Sequence, residues 1–205
     1  MSTTDKILDG AHHLFYQYGI RSVTMDDIAS HLGMSKKTIY QYFPDKNKIV
    51  VELNDKLMGE HECRLIEIKN NAKNAIDEII SIMTYLRAFI SEIHPAVFFD
   101  MQKYHEEAWK KYLNFKECCM IKMVEDNLKW GQEEGLYRKD MDINIIAIMR
   151  LHQVQMAFDQ NVFSPKRFKL ENVQMQMLSH FMHGITTLKG HKLINKLLHV
   201  NEDEN

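Results

Sequence analysis

From Ser35 to Lys46 the chain reads SKKTIYQYFPDK, a span rich in hydrogen-bond donors. Lys36, Lys37 and Lys46 bring ammonium groups, and Ser35, Thr38, Tyr40 and Tyr42 bring hydroxyls. Groups of these types suit two kinds of acceptor on a duplex. Phosphate oxygens position a protein, and base edges in the major groove specify a sequence. Lysine can donate to guanine O6 or N7, and a threonine methyl can pack on a thymine methyl. Lys36, Lys37, Thr38 and Tyr40 are therefore the candidates for groove contacts. Thr24, Ser35, Tyr42 and Lys46 are the candidates for phosphate contacts, and Lys48 adds positive charge beside them.

Other chemistries find less support. No Gly-rich phosphate loop, G-x-S-x-G elbow or H-E-x-x-H zinc helix occurs, so no enzyme and no catalytic residue is expected. His180 and His183 are spaced i, i+3, but no third ligand lies near them in sequence, and neither a metal nor a cofactor is expected. Cys118 and Cys119 are adjacent, and neighbouring side chains on a helix diverge too far to bridge without strain. With Cys63 they make an odd count without framework spacing, which points to a reducing compartment. The N-terminus MSTTDK is no apolar leader, and no run of about 20 apolar residues could span a bilayer. A cytoplasmic protein is expected.

The elements that position the donors are legible. Thr24 followed by Asp27 has the form of a capping box opening a short helix. Gly33 sits where a helix C′ residue is wanted, because glycine enters the left-handed region without steric cost. Ser35 suits the N-cap of the next helix, Lys36 to Tyr42, and Pro44 disfavours helix at Phe43 and ends it. Ile39 and Phe43 are its buried anchors, and a further helix starting at Pro44 would offer a phosphate its N-terminus. Two helices around a tight turn, the second with a basic, hydroxyl-rich face, make a helix-turn-helix over about residues 24–43.

This stretch, T-M-D-D-I-A-S-H-L-G-M-S-K-K-T-I-Y-Q-Y-F-P-D-K-N-K-I, resembles the DNA-binding domain of the TetR (tetracycline-repressor) family of bacterial transcriptional regulators, and Ala11, Leu14, Phe15 and Gly19 resemble that family's first helix. The likeness covers roughly the first 60 residues. Leu32 stands where the family usually has Ala, and Lys37 where Gly is common. The resemblance implies an all-α chain with two parts. Residues 1–50 form a three-helix DNA-binding domain, and residues 51–205 a helical ligand-binding and dimerisation domain. It further implies a homodimer joined by the last two helices, double-stranded DNA with a palindromic operator as partner, and a small-molecule effector.

The residues beyond the motif agree with an all-α fold. Apolar content is 45%, Gly and Pro number only 8 and 3, and no alternating strand pattern appears. Charge is uneven: six basic against five acidic residues in 1–50, twenty against twenty-three in the remainder. Phosphate affinity is thus local and favours two copies of the module. One long helix is expected from Glu106 to about Gly131, and two closing helices from about Ile143 to Gln160 and Leu170 to Lys189, each apolar on more than one side. Ile145, Ile148, Met149, Met175, Leu178 and Met182 are the expected dimer contacts. Met83, Phe89, Phe98, Phe99, Trp109, Tyr112, Phe115, Met123, His152 and Met156 are candidates for an apolar ligand pocket, although the same residues would equally fill an ordinary core. The expected function is a repressor released from its operator by a small apolar effector. The alternative is a DNA-binding module whose helical body docks a protein. Val200–Asn205 is acidic and is expected to be a disordered tail.

Overall fold

The structure is a computed structural model and describes residues 2–94 and 96–197, so the expected acidic tail lies outside the described residues. Among the described residues the protein is all-α, with eleven α-helices, one π-helical turn and a single isolated bridge, Tyr137 to Thr186. No helix among them is long and apolar enough to cross a membrane. The chain forms two compact units, each discontinuous in sequence. One combines the chain up to Cys63 with Phe89–Phe115, and the other combines Arg64–Ala88 with the chain from Lys116 onward.

In the first unit, α1 (Thr3–Tyr18) opens with a capping box in which Ser2 and Asp5 exchange bonds, and it buries Ile7, Ala11, Leu14 and Phe15. Gly19 ends it at φ +81°, in the region glycine tolerates best. α2 (Met25–Leu32) and α3 (Lys36–Tyr42) follow, and α4 (Lys46–Asn71) starts here and ends in the second unit. α6 (Ala96–Tyr104) and α7 (Glu106–Phe115) complete this unit. Their Val97, Met101 and Ala108 join the core built by α1, α2 and α4.

In the second unit, the first part of α5 (Ala75–Glu92) packs into one cluster with α8 (Ile121–Glu133), α9 (Ile143–Met156), α10 (Leu170–Ile185) and α11 (Leu188–Leu197). Tyr137 is completely buried at its centre, and Gly131 is required beside it because a Cβ there would lie 2.0 Å from the ring. The Tyr137 hydroxyl donates to Asn127 Oδ1 at 3.1 Å, and Asn127 Nδ2 donates to the buried Glu78 at 2.6 Å and to the Ala75 carbonyl at 2.9 Å. Every buried polar atom in that chain thus has a partner.

Two expectations are corrected. The single helix from Glu106 is interrupted by a π-helical turn at Lys116–Met120. The wider turn accompanies the inward placement of Lys116, which is buried and donates to Gln155 Oε1 at 3.0 Å. The last helices also end sooner than expected, α9 at Met156 and α10 at Ile185, and a further helix follows them. α11 has local signals of its own: the Thr187 hydroxyl accepts the Gly190 N–H at 3.2 Å, and Ile194 is buried.

Candidate nucleic-acid interface

Local bonds set the turn geometry of the motif. Thr24 Oγ1 accepts the Asp27 N–H at 3.2 Å, and Asp27 Oδ2 accepts the Thr24 N–H at 2.8 Å and its hydroxyl at 2.7 Å. Those bonds to the hydroxyl and backbone amide hold the Asp27 carboxyl below its ordinary value. Gly33 follows α2 at φ +61°, ψ +27°, in the left-handed helical region. Ser35 Oγ accepts the Thr38 N–H at 3.0 Å and starts α3. Ile39 and Phe43 are fully buried and fix the rotation of α3 about its axis.

With those two anchored, the opposite face is presented outward. Lys36, Lys37, Tyr40, Gln41 and Tyr42 are all exposed. Thr38 is half-buried, its hydroxyl 2.8 Å from that of Ser35. Lys36 forms a 2.8 Å ion pair with Asp26 of α2, and the hydrogen bond to that carboxylate holds the ammonium above its usual range. Contact with a base or phosphate would exchange that surface pair for a new one, at little cost in energy.

Lys46 is placed differently from the expectation. Its ammonium donates back to the carbonyls of Ile20 at 3.0 Å and Val23 at 2.9 Å, and burial lowers its pKa. Lys46 therefore latches α4 to the loop that carries α1 into α2. The start of α4 differs too. It begins at Lys46 rather than Pro44, and Asp45 Oδ1 accepts the Lys48 N–H at 2.8 Å. A carboxylate thus already serves the amide that was expected to meet a phosphate.

A second set of contacts in this unit was not foreseen. The buried Asp100 of α6 accepts the Arg21 N–H at 2.8 Å, and the His94 N–H donates to the Tyr16 carbonyl at 2.8 Å. His105 Nδ1 lies 2.6 Å from Asn47 Oδ1, and Asn54 Nδ2 donates to the Ala108 carbonyl at 3.2 Å. These bonds span 54 to 79 residues of sequence, a separation that local patterns do not encode.

The proposed pocket residues separate. Phe98, Trp109 and Tyr112 pack together, with Phe98 edge-on to Tyr112 at 5.6 Å and Trp109 5.2 Å from the same ring. Burial pushes the Tyr112 hydroxyl up to about 12. Phe89 meets Tyr16 and His61, while Phe99 is exposed under Lys103. Met83 packs on the core of the second unit, and Phe115 and Met123 are half-buried. His152 and Met156 stand on the exposed side of α9, which removes them from a buried lining.

The expected dimer contacts also divide. Ile145, Ile148, Met149 and Met156 form an exposed apolar stripe on α9, with Ile145 63% and Ile148 47% exposed. Met175 is half-buried. Leu178 and Met182 are corrected: both are buried in the chain's own core, because α10 turns Gln176, Ser179, His180 and His183 outward instead.

The family model described as bacterial regulatory proteins, tetR family, matches residues 7–53. The chain is 28% identical over 184 residues to the uncharacterized HTH-type transcriptional regulator YvaF of Bacillus subtilis, covering 88% of this chain and 94% of that one. It is 24% identical over 148 residues to the HTH-type transcriptional repressor KstR2 of Mycobacterium tuberculosis, covering 71% and 74%. Its fold is similar to that of the transcriptional regulator FadR from Bacillus subtilis, solved with stearoyl-CoA, with a TM-score of 0.68 and 18% identity over 86% of this chain and 96% of that one. The exposed donor face on α3, the family match over residues 7–53 and these likenesses together support a TetR-family transcriptional regulator.

Proposed function

We propose that the protein is a repressor that binds a palindromic operator as a homodimer and leaves it when a small apolar effector binds. The observation that carries this reading is α3. Its anchors Ile39 and Phe43 are buried, and Lys36, Lys37, Tyr40 and Tyr42 are exposed, with Lys36 held in its surface pair with Asp26. Lys37, Lys36, Thr38 and Tyr40 read the groove, and Tyr42, Thr24 and Ser35 meet phosphates. A helix of seven residues touches few base pairs, so selecting one site in a genome calls for two copies. The exposed stripe Ile145, Ile148 and Met149 supports that pairing, because a face of this kind gains from a second copy more than from water.

In this reading residues 1–50 bind DNA and residues 51–205 regulate and dimerise, in the cytoplasm where the DNA lies. Effector control is supported by FadR of Bacillus subtilis, a regulator of similar fold that was solved with stearoyl-CoA. The effector acts by its difference in affinity for the bound and released arrangements. Selection of preferred duplexes from a random pool tests the reading. An inverted repeat is expected, and enrichment of single half-sites or of no sequence would contradict it.

A further inference from the structure

Arg150 points inward from α9 and is only 9% exposed. Its guanidinium lies over the Phe181 ring of α10, 5.3 Å from the centroid. Among the described residues Arg150 has no ion pair, and its Nη1 is sealed from solvent without a hydrogen-bond partner. Three residues on, the side-chain oxygen of Gln153 is equally sealed and equally unpaired. Burial brings the guanidinium down to about 10, which still leaves it charged at neutral pH. A buried cation without a counter-charge is strongly unfavourable, and an aromatic face offsets only part of that. The planar fork of arginine matches carboxylate and phosphate oxygens better than other side chains do.

We propose that Arg150 is the counter-ion of an effector with an anionic head, carboxylate or phosphate, on an apolar body, and that the Gln153 side-chain oxygen accepts from the P–OH when the head is a singly protonated phosphate. Phe181 under the guanidinium belongs to the apolar core of the same unit, so the surroundings of the head are apolar. The proposal rests on the chain being effector-controlled. It adds the chemical class of the effector and the residue that selects it.

The test uses the full-length protein and three probes sharing one chain: decanoate, decyl phosphate and 1-decanol. Calorimetry should show one or both anions binding and the alcohol binding much more weakly. The stronger anion identifies the head group. Arg150→Met should weaken that anion by roughly thirtyfold or more, leave the alcohol unchanged, and let Arg150→Lys recover part of the loss. In the absence of probe, Arg150→Met should melt no lower than the parent, because it removes an unpaired charge and keeps the stem volume. A merely structural arginine predicts the reverse, a lower melting temperature and no change in probe selectivity, and that result would overturn the proposal. So would equal binding of alcohol and acid, or no binding of any probe. Anion-selective uptake by a protein that stays on its duplex would instead overturn effector control and leave the anion site standing.

Discussion

At the residue scale, Gly10 and Leu32 illustrate how a departure from a family pattern is absorbed. A Cβ at Gly10 would lie 2.7 Å from Leu32 Cδ2 and 2.9 Å from its Cγ, so the larger side chain on α2 occupies the space that glycine leaves on α1. Gly10→Ala should therefore destabilise the protein by about 1 kcal/mol net, overpacking outweighing the gain in helix propensity. In a Leu32→Ala background the same change should turn stabilising, by about 0.5–1 kcal/mol. Denaturant melts of the four proteins in that cycle read the sign directly, and equal effects in both backgrounds would contradict the packing account. Lys46 carries a related expectation. Lys46→Ala should cost about 1–2 kcal/mol of stability, because the two carbonyls it serves lose a charged donor. Tyr42→Phe should weaken DNA binding evenly across sequences without moving the melt, which separates a latch from a phosphate contact.

Residue by residue, the legible features were those encoded within four positions. The Thr24–Asp27 box, the left-handed Gly33, the Ser35 cap and the exposed face of α3 all follow from neighbours in sequence. Lys46 was misplaced because its acceptors lie 23 and 26 residues away. Leu178 and Met182 were misplaced for another reason. α10 is apolar on two sides, and periodicity gives the stripes without saying which one faces its own core.

At the element scale, α6 and α7 belong with the DNA-binding helices, although about 50 residues of sequence separate them. Asp100 holds the backbone that leads out of α1, and His105 holds Asn47 in the first turn of α4. Within the first unit, these bonds tie α6 and its C-terminal neighbour His105 to the loop before α2 and to the start of α4. Burial, reinforced by the nearby Lys46 charge, depresses the His105 pKa below the ordinary imidazole value of 6.5. The neutral form is thus favoured by the fold. Its contribution to stability is complete above the unfolded value and is lost as pH falls from there through the folded value. Thermal melts should accordingly drop as pH is lowered below 6.5, and His105→Gln should flatten part of that slope. An identical slope in the variant would show that His105 does not titrate with folding. The π turn at Lys116–Met120 was illegible because a continuous apolar period over Glu106 to Gly131 permits either one helix or two in register with a wider turn between them.

At the scale of the whole molecule, the net charge of −2 leaves no general affinity for nucleic acid, so recognition has to come from a small face used twice. In the proposed reading, the exposed stripe on α9 is the face that pairs two copies. Ile148→Glu should convert a dimer to a monomer in sedimentation and abolish operator binding while each chain stays folded. A variant that remains dimeric would move the interface elsewhere. The most direct measurement of the central claim is duplex selection from random DNA, run in parallel for the parent protein and Lys37→Ala. The account predicts an inverted repeat for the parent, and for the variant a changed base at the same position in both half-sites. An unchanged preference, or a change confined to one half-site, would contradict it.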